Sequence, residues 1–200
     1  NDLVDRSRAG SVRRQDLNQL LVLDFDGIEH PAHIPQATYT SSDVSRLAEV
    51  LVHQMPTQLR DTSYIAQASS SLGFKGNKIS MHLIFMLKVA LPPATQKLWL
   101  THTNTSIDYF KNQVGLSVNG QSLTYPLDIS LADNSKLIFI APPQFQDNVV
   151  NPFASNDDRM TLVRKTNSQL ELDSLVNLSP EAVYNSVSDL KNKMRREQGY

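Results

Sequence analysis

Apolar and polar positions change period several times along the chain, and each change predicts an element. Leu20-Leu21-Val22-Leu23 runs into Asp24-Phe25-Asp26-Gly27. A short apolar run closing on Asp and Gly reads as a buried strand meeting a turn. Pro31 and Pro35 make the next stretch a loop. Val44, Leu47, Leu51 and Met55 then recur at helical spacing behind Ser41 or Ser42 as cap, with Asp43 at the positive helix end and Pro56 after the last turn. This predicts a helix over about residues 42–55. Ile65, Ala68 and Leu72 predict a second helix over 62–72, stopping at Gly73.

The period becomes two from Asn77 to Leu91. Ile79, Met81, Leu83, Phe85, Leu87 and Val89 alternate with Ser80, His82, Ile84, Met86, Lys88 and Ala90. The second face is partly apolar, which suits a central strand or one covered by a helix. After Pro92-Pro93, Leu98, Trp99 and Leu100 predict a strand over 97–103, and 106–113 a short helix or turn. Asn119-Gly120 between two apolar segments predicts a hairpin of 114–118 with 121–129, and Pro126 puts its part at an edge or bulge. Further strands are expected at 136–140 and 160–164, separated by a loop at 144–158 rich in Asn, Asp and Pro; 170–175 is undecided. The chain closes on a helix of about 180–198. Ser179 caps it, Pro180 takes its first position and Leu178 staples against Val183; Val183, Val187, Leu190 and Met194 form its apolar stripe, and Gly199 ends it.

These elements predict an α+β fold: a mainly antiparallel sheet, a helix in the N-terminal half and a helix at the C-terminus. Residues 1–16 mix charge with Ser and Gly and hold few apolar side chains, so they read as a flexible arm. Residues 17–200 are expected to form one α+β domain.

Composition narrows the chemistry more than it selects one. The 200 residues are 40% hydrophobic and 20% charged with net charge −1, so the chain is not a disordered polyelectrolyte. The absence of Cys excludes disulfides, thiolate zinc sites, iron–sulfur ligation and cysteine nucleophiles. No run approaches the ~20 apolar residues of a membrane span, and no signal-peptide core stands near the start, so localisation is left unassigned. The chain begins at Asn1 and not at Met, and reads as a fragment or processed form. Near-neutral charge argues against a dedicated nucleic-acid binder, yet the balance is uneven. Arg6, Arg8, Arg13 and Arg14 gather at one end, and Lys191, Lys193, Arg195 and Arg196 at the other. Of these, Arg13, Arg14, Lys191, Lys193, Arg195 and Arg196 are the candidate interaction residues, with weak nucleic-acid or anionic-lipid contact as their expected role. No aromatic residues interleave with them, which disfavours base stacking.

Leu21-Val22-Leu23-Asp24-Phe25-Asp26-Gly27 resembles motif I of the haloacid-dehalogenase-like phosphatases, a strand delivering two aspartates at its end. The resemblance implies Asp24 as nucleophile toward phosphorus, Asp26 as general acid/base, and Mg²⁺ to neutralise the phosphate. It spans seven residues, and Ile28 stands where that family usually has Thr or Val. Leu98-Trp99-Leu100-Thr101 and Asp157-Asp158 are the only segments able to serve as its partner motifs. Strand–Asp–x–Asp–Gly is also a common exit from a strand into a turn. Asp24, Asp26, His30 and His33 could form a mixed Asp/His metal site, but the two histidines lie in a loop where histidines are usually solvated, and no metal site is predicted. His53, His82 and His102 read as structural polar residues. No Gly-x-Ser-x-Gly elbow or glycine-rich phosphate loop occurs among the seven glycines. No cofactor is expected. The leading expectation is a non-enzymatic assembly or interaction subunit (matrix-, coat- or scaffold-like) acting through self-association. The Mg-dependent phosphatase using Asp24 and Asp26 is the alternative.

Overall fold

A computed structural model of the chain describes residues 16–31, 33, 35–136, 138, 140–172 and 177–200. In chain order the elements are β1 (Asn18–Glu29), α1 (Ser41–Val52), α2 (Thr57–Arg60), β2 (Tyr64–Ala68), β3 (Lys78–Leu91), α3 (Pro93–Ser106), α4 (Asp108–Lys111), β4 (Gly115–Leu116), β5 (Leu123–Thr124), β6 (Met160–Val163) and α5 (Pro180–Glu197). Two short 3-10 turns occupy Ile129–Ala132 and Asp157–Arg159. The fold is α+β. Its main sheet is antiparallel throughout, in the order β1-β3-β2-β6, and β4 pairs with β5 in a separate small ribbon.

Alternation along the strands divides the sheet into two unlike faces. One carries Leu21, Leu23, Phe25 and Ile28 from β1, Ile79, Met81, Leu83, Phe85 and Leu87 from β3, and Tyr64, Ala66 and Ala68 from β2, all buried. The apolar stripe of α1 joins the same core, as do Trp99 and Leu100 of α3 and Phe110 of α4. The opposite face presents Asp24, Gln67, Ser80 and His82 beside Leu20, Ile65, Met86 and Leu162, the last four exposed. β3 is a central strand between β1 and β2, one of the two settings its partly apolar second face suits.

Two elements differ in kind from the sequence reading. Residues 62–72 hold a strand, because Tyr64, Ala66 and Ala68 alternate into the core between β3 and β6. Their long-range pairing outweighs the local helical spacing. Residues 97–103 are helical: Pro93 supplies the preset φ of a first helical position, so Pro92-Pro93 ends β3 and starts α3. The cap of α1 is Thr40, one residue earlier than expected, in a reciprocal capping box with Asp43. At Asn119-Gly120 only Gly120 has positive φ, so the ribbon closes through a Ser117–Gly120 turn and its strands last two residues each. Asn104, fully buried on α3, holds both the N–H and the C=O of Leu127, drawing this segment beside β1.

No strand forms at residues 136, 138 or 140, whereas 160–163 is a strand as expected. The C-terminal helix matches its signals: Ser179 caps it, Pro180 opens it, and Gly199 at φ +75° follows. There the amides of Gly199 and Tyr200 reach back to Arg196 and Arg195, a Schellman-type ending. The predicted arm, with Arg13 and Arg14, lies outside the described residues except for Asp16.

Candidate functional site

One row of register partners crosses the open face of the whole main sheet: Asp24 on β1, His82 on β3, Gln67 on β2 and Met160 on β6. The three polar members touch. Asp24 Oδ1 lies 3.3 Å from His82 Nε2, and His82 Nδ1 lies 3.2 Å from Gln67 Oε1. The imidazole is thus fixed at both nitrogens, between a carboxylate and an amide. Asp26 reaches the same face by a different device. Between Phe25↔Met81 and Ile28↔Ile79, β1 holds one residue more than β3, and Gly27 absorbs the resulting bulge at φ +70°. The Gly27 amide donates to Ser80 Oγ at 3.0 Å, while Lys75 Nζ donates to Asp26 Oδ1 at 2.7 Å.

Asp24, Asp26, His82, Lys75, Ser69, Ser71, Tyr125 and Asp128 line an open polar recess of about 410 Å³. Asp24, His82 and Ser69 also line a second cavity of about 480 Å³. Its polar side adds Gln67, Asn156 and Arg159, and its apolar side holds Leu131, Pro142 and Pro143. Burial pushes the Tyr125 hydroxyl pKa up, so this group at the recess stays protonated and able to donate.

The phosphatase assignment of Asp24 and Asp26 does not fit this geometry. The motif needs aspartates at the end of a parallel strand, whereas Asp24 sits within an antiparallel pair. Thr101 of the supposed partner motif donates to the Lys97 carbonyl within α3. Asp158 is held by the Ser41 amide and by the hydroxyl of Ser155, which keep its pKa low. The histidines weighed as metal ligands lie elsewhere. His33 is buried, bonded to the Asn77 carbonyl at 2.6 Å and the Tyr39 hydroxyl at 3.1 Å. His30 packs edge-on against Tyr109, and burial, then His33, lowers its pKa. Among the described residues no three or more His, Asp or Glu side chains converge as a metal cage.

Lys191, Lys193, Arg195 and Arg196 lie on the last two turns of α5, whose apolar side packs on α3. Lys193 pairs loosely with Glu197, and Arg195 and Arg196 are exposed. The sequence reading passed over His82, Lys75, Gln67 and Arg159 as site members. His82 alone left a signal, as a polar residue on the less apolar face of an alternating strand.

No family model matches the chain, and no solved structure matches it. Over 199 residues it is 23% identical to the "Putative replication origin binding protein" of Escherichia phage T5. The similarity covers 94% of this chain and 20% of that protein, so the chain spans about a fifth of the relative's length. That relative is named for a part in replication, and this overturns both functional expectations drawn from the sequence. Neither the matrix-, coat- or scaffold-like subunit nor the phosphatase is retained. Among the described residues no helix is long and apolar enough to cross a membrane.

Proposed function

We propose that this chain is a nucleic-acid-contacting module of a replication protein, and that its open-face site engages a phosphate with the help of a divalent cation. The observation that carries the reading is the convergence of Asp24, Asp26, His82 and Lys75 on one recess, in a chain similar to a protein named for origin binding. Two carboxylates alone would repel a phosphate. A hard divalent cation reverses that, and Mg²⁺ is commonly held by one or two carboxylates together with the oxygens of a bound phosphate. Two carboxylates from the chain therefore suffice where a full protein cage is missing.

Each residue has a role in this arrangement. Asp24 and Asp26 supply the oxygen ligands, and the bulge at Gly27 sets the angle of the second. His82, braced by Gln67, holds Asp24 in place. Lys75, part-exposed and, among the described residues, held by its side chain to Asp26, is placed to move onto a phosphate. A cation bound there would supply charge neutralisation toward the phosphate. Lys193, Arg195 and Arg196 add screened contacts to neighbouring phosphates without reading sequence. The test is single-strand binding followed over a Mg²⁺ titration: the reading requires affinity to rise with Mg²⁺.

A further inference from the structure

Among the described residues Arg159 is a buried cation with no counter-ion. It is 4% exposed, and among the described residues no carboxylate pairs with it. Nη2 donates to the Ser69 carbonyl at 2.8 Å, and the guanidinium carbon lies 4.2 Å from the centroid of the Phe153 ring. Nη1 is buried with no hydrogen-bond partner. Its neighbour Asp158 turns instead to Ser41 and Ser155. Burying an ionised group is costly unless it is paired, and an orphaned guanidinium N–H adds the loss of a charge-assisted hydrogen bond. Burial lowers the pKa of Arg159 and no neighbouring charge offsets the effect. One carbonyl and two aromatic rings, Phe153 and, farther off at 6.0 Å, Phe145, hold the side chain in place without neutralising it. The residue lines the cavity of about 480 Å³ that meets the acidic recess at Asp24, His82 and Ser69.

We propose that Arg159 is an anion-binding residue of this cavity, and that the anion is a phosphate of a nucleotide unit whose ring lies against Leu131, Pro142 and Pro143. A cavity of this size suits one nucleotide. Leu131, Pro142 and Pro143 give the ring an apolar wall, and Nη1 of Arg159 has N–H groups to donate to phosphate oxygens. The inference rests on the nucleic-acid reading above and deepens it, adding a second phosphate contact apart from the acidic pair. The phosphate can belong to a free nucleotide or to a strand, and the test separates the two.

The experiment is calorimetric titration of the protein in Mg²⁺ with thymidine, thymidine triphosphate and a short oligothymidylate. Wild type is compared with Arg159→Lys, which keeps the charge and loses the fork, and with Ala141→Trp, which puts a large side chain at another lining position of the cavity. Wild type should prefer the phosphorylated ligands to thymidine, and Arg159→Lys should cut that preference about tenfold or more. Loss confined to the triphosphate identifies a free nucleotide, and loss confined to the oligonucleotide identifies a strand. Should Arg159→Lys fail to fold, Ala141→Trp decides: undiminished binding of both phosphorylated ligands overturns the proposal. Full binding by folded Arg159→Lys overturns it too, while leaving the acidic site standing. A wild type that binds neither phosphorylated ligand overturns both readings.

Discussion

Asp24 and His82 face each other across adjacent antiparallel strands, with carboxylate Oδ1 3.3 Å from imidazole Nε2. Fifty-eight residues of chain separate them, and only the register of β1 on β3 brings them together. Asp26 stands on the same face, and Asp128 lines the same recess. Asp24 pairs with His82 and Asp26 with Lys75, and ion pairs open to solvent add little to stability. Asp24→Asn and Asp26→Asn should therefore leave unfolding free energy within about 0.5 kcal/mol of wild type, or raise it. Urea denaturation checks this; a loss of roughly 2 kcal/mol or more would make the pair a structural feature.

The bulge at Gly27 predicts a separable defect. Alanine has room there, its Cβ meeting only Lys78 Cδ at 3.7 Å, but φ of +70° is unfavourable for any residue with a Cβ. Gly27→Ala should cost about 1 kcal/mol in denaturation. It should also weaken the Mg²⁺ dependence of binding although both aspartates are intact, because relaxing the strand re-aims Asp26. A variant with wild-type Mg²⁺ response would show that the bulge does not position the site.

Three groups set the acid stability. His30 has its pKa lowered by burial and then by His33. Burial acts to raise the Asp43 pKa, but hydrogen bonds from Thr40 and the Arg46 charge outweigh it, and the net shift is downward. Asp158 is lowered, first by the Ser41 amide. In every case the unfolded chain takes up its proton first, so acid favours unfolding. Stability should fall as pH drops below the ordinary histidine value of 6.5, and again below the ordinary aspartate value of 3.8. Urea midpoints measured against pH test this, and Asp158→Asn should flatten the lower step. A midpoint that rises on acidification would contradict the assignment.

The basic end of α5 makes a different prediction from the acidic recess. Replacing Lys193, Arg195 and Arg196 with Gln should weaken strand binding without regard to sequence and make it less sensitive to salt. For a single strand, each lost phosphate contact lowers the slope of log K against log salt by about 0.7. An unchanged slope would remove α5 from the interface.

Much of the architecture is readable in the chain, and the failures share one cause. Alternation from Ile79 to Val89 and the cap at Ser179-Pro180 are local signals, and both elements form where they point. Residues 62–72 and 97–103 differ in kind from what their local spacing predicts, because tertiary pairing and a proline start decide them. The candidate site is still less local. Asp24 and Asp26 stand out in the sequence as an acidic pair, but nothing in it tells that His82 and Gln67 complete their row, or that Arg159 is buried without a carboxylate. Register across four strands carries that information, and periodicity within one strand does not.

The central claim, that the open face engages nucleic acid through a cation held by Asp24 and Asp26, is tested most directly by fluorescence anisotropy. A labelled single strand is titrated with wild type, Asp24→Asn and Asp26→Asn, each in Mg²⁺ and in chelator. The account predicts tighter wild-type binding in Mg²⁺ than in chelator, with the difference abolished in both variants. Binding by all three proteins that ignores Mg²⁺, or no binding by any of them, would contradict it.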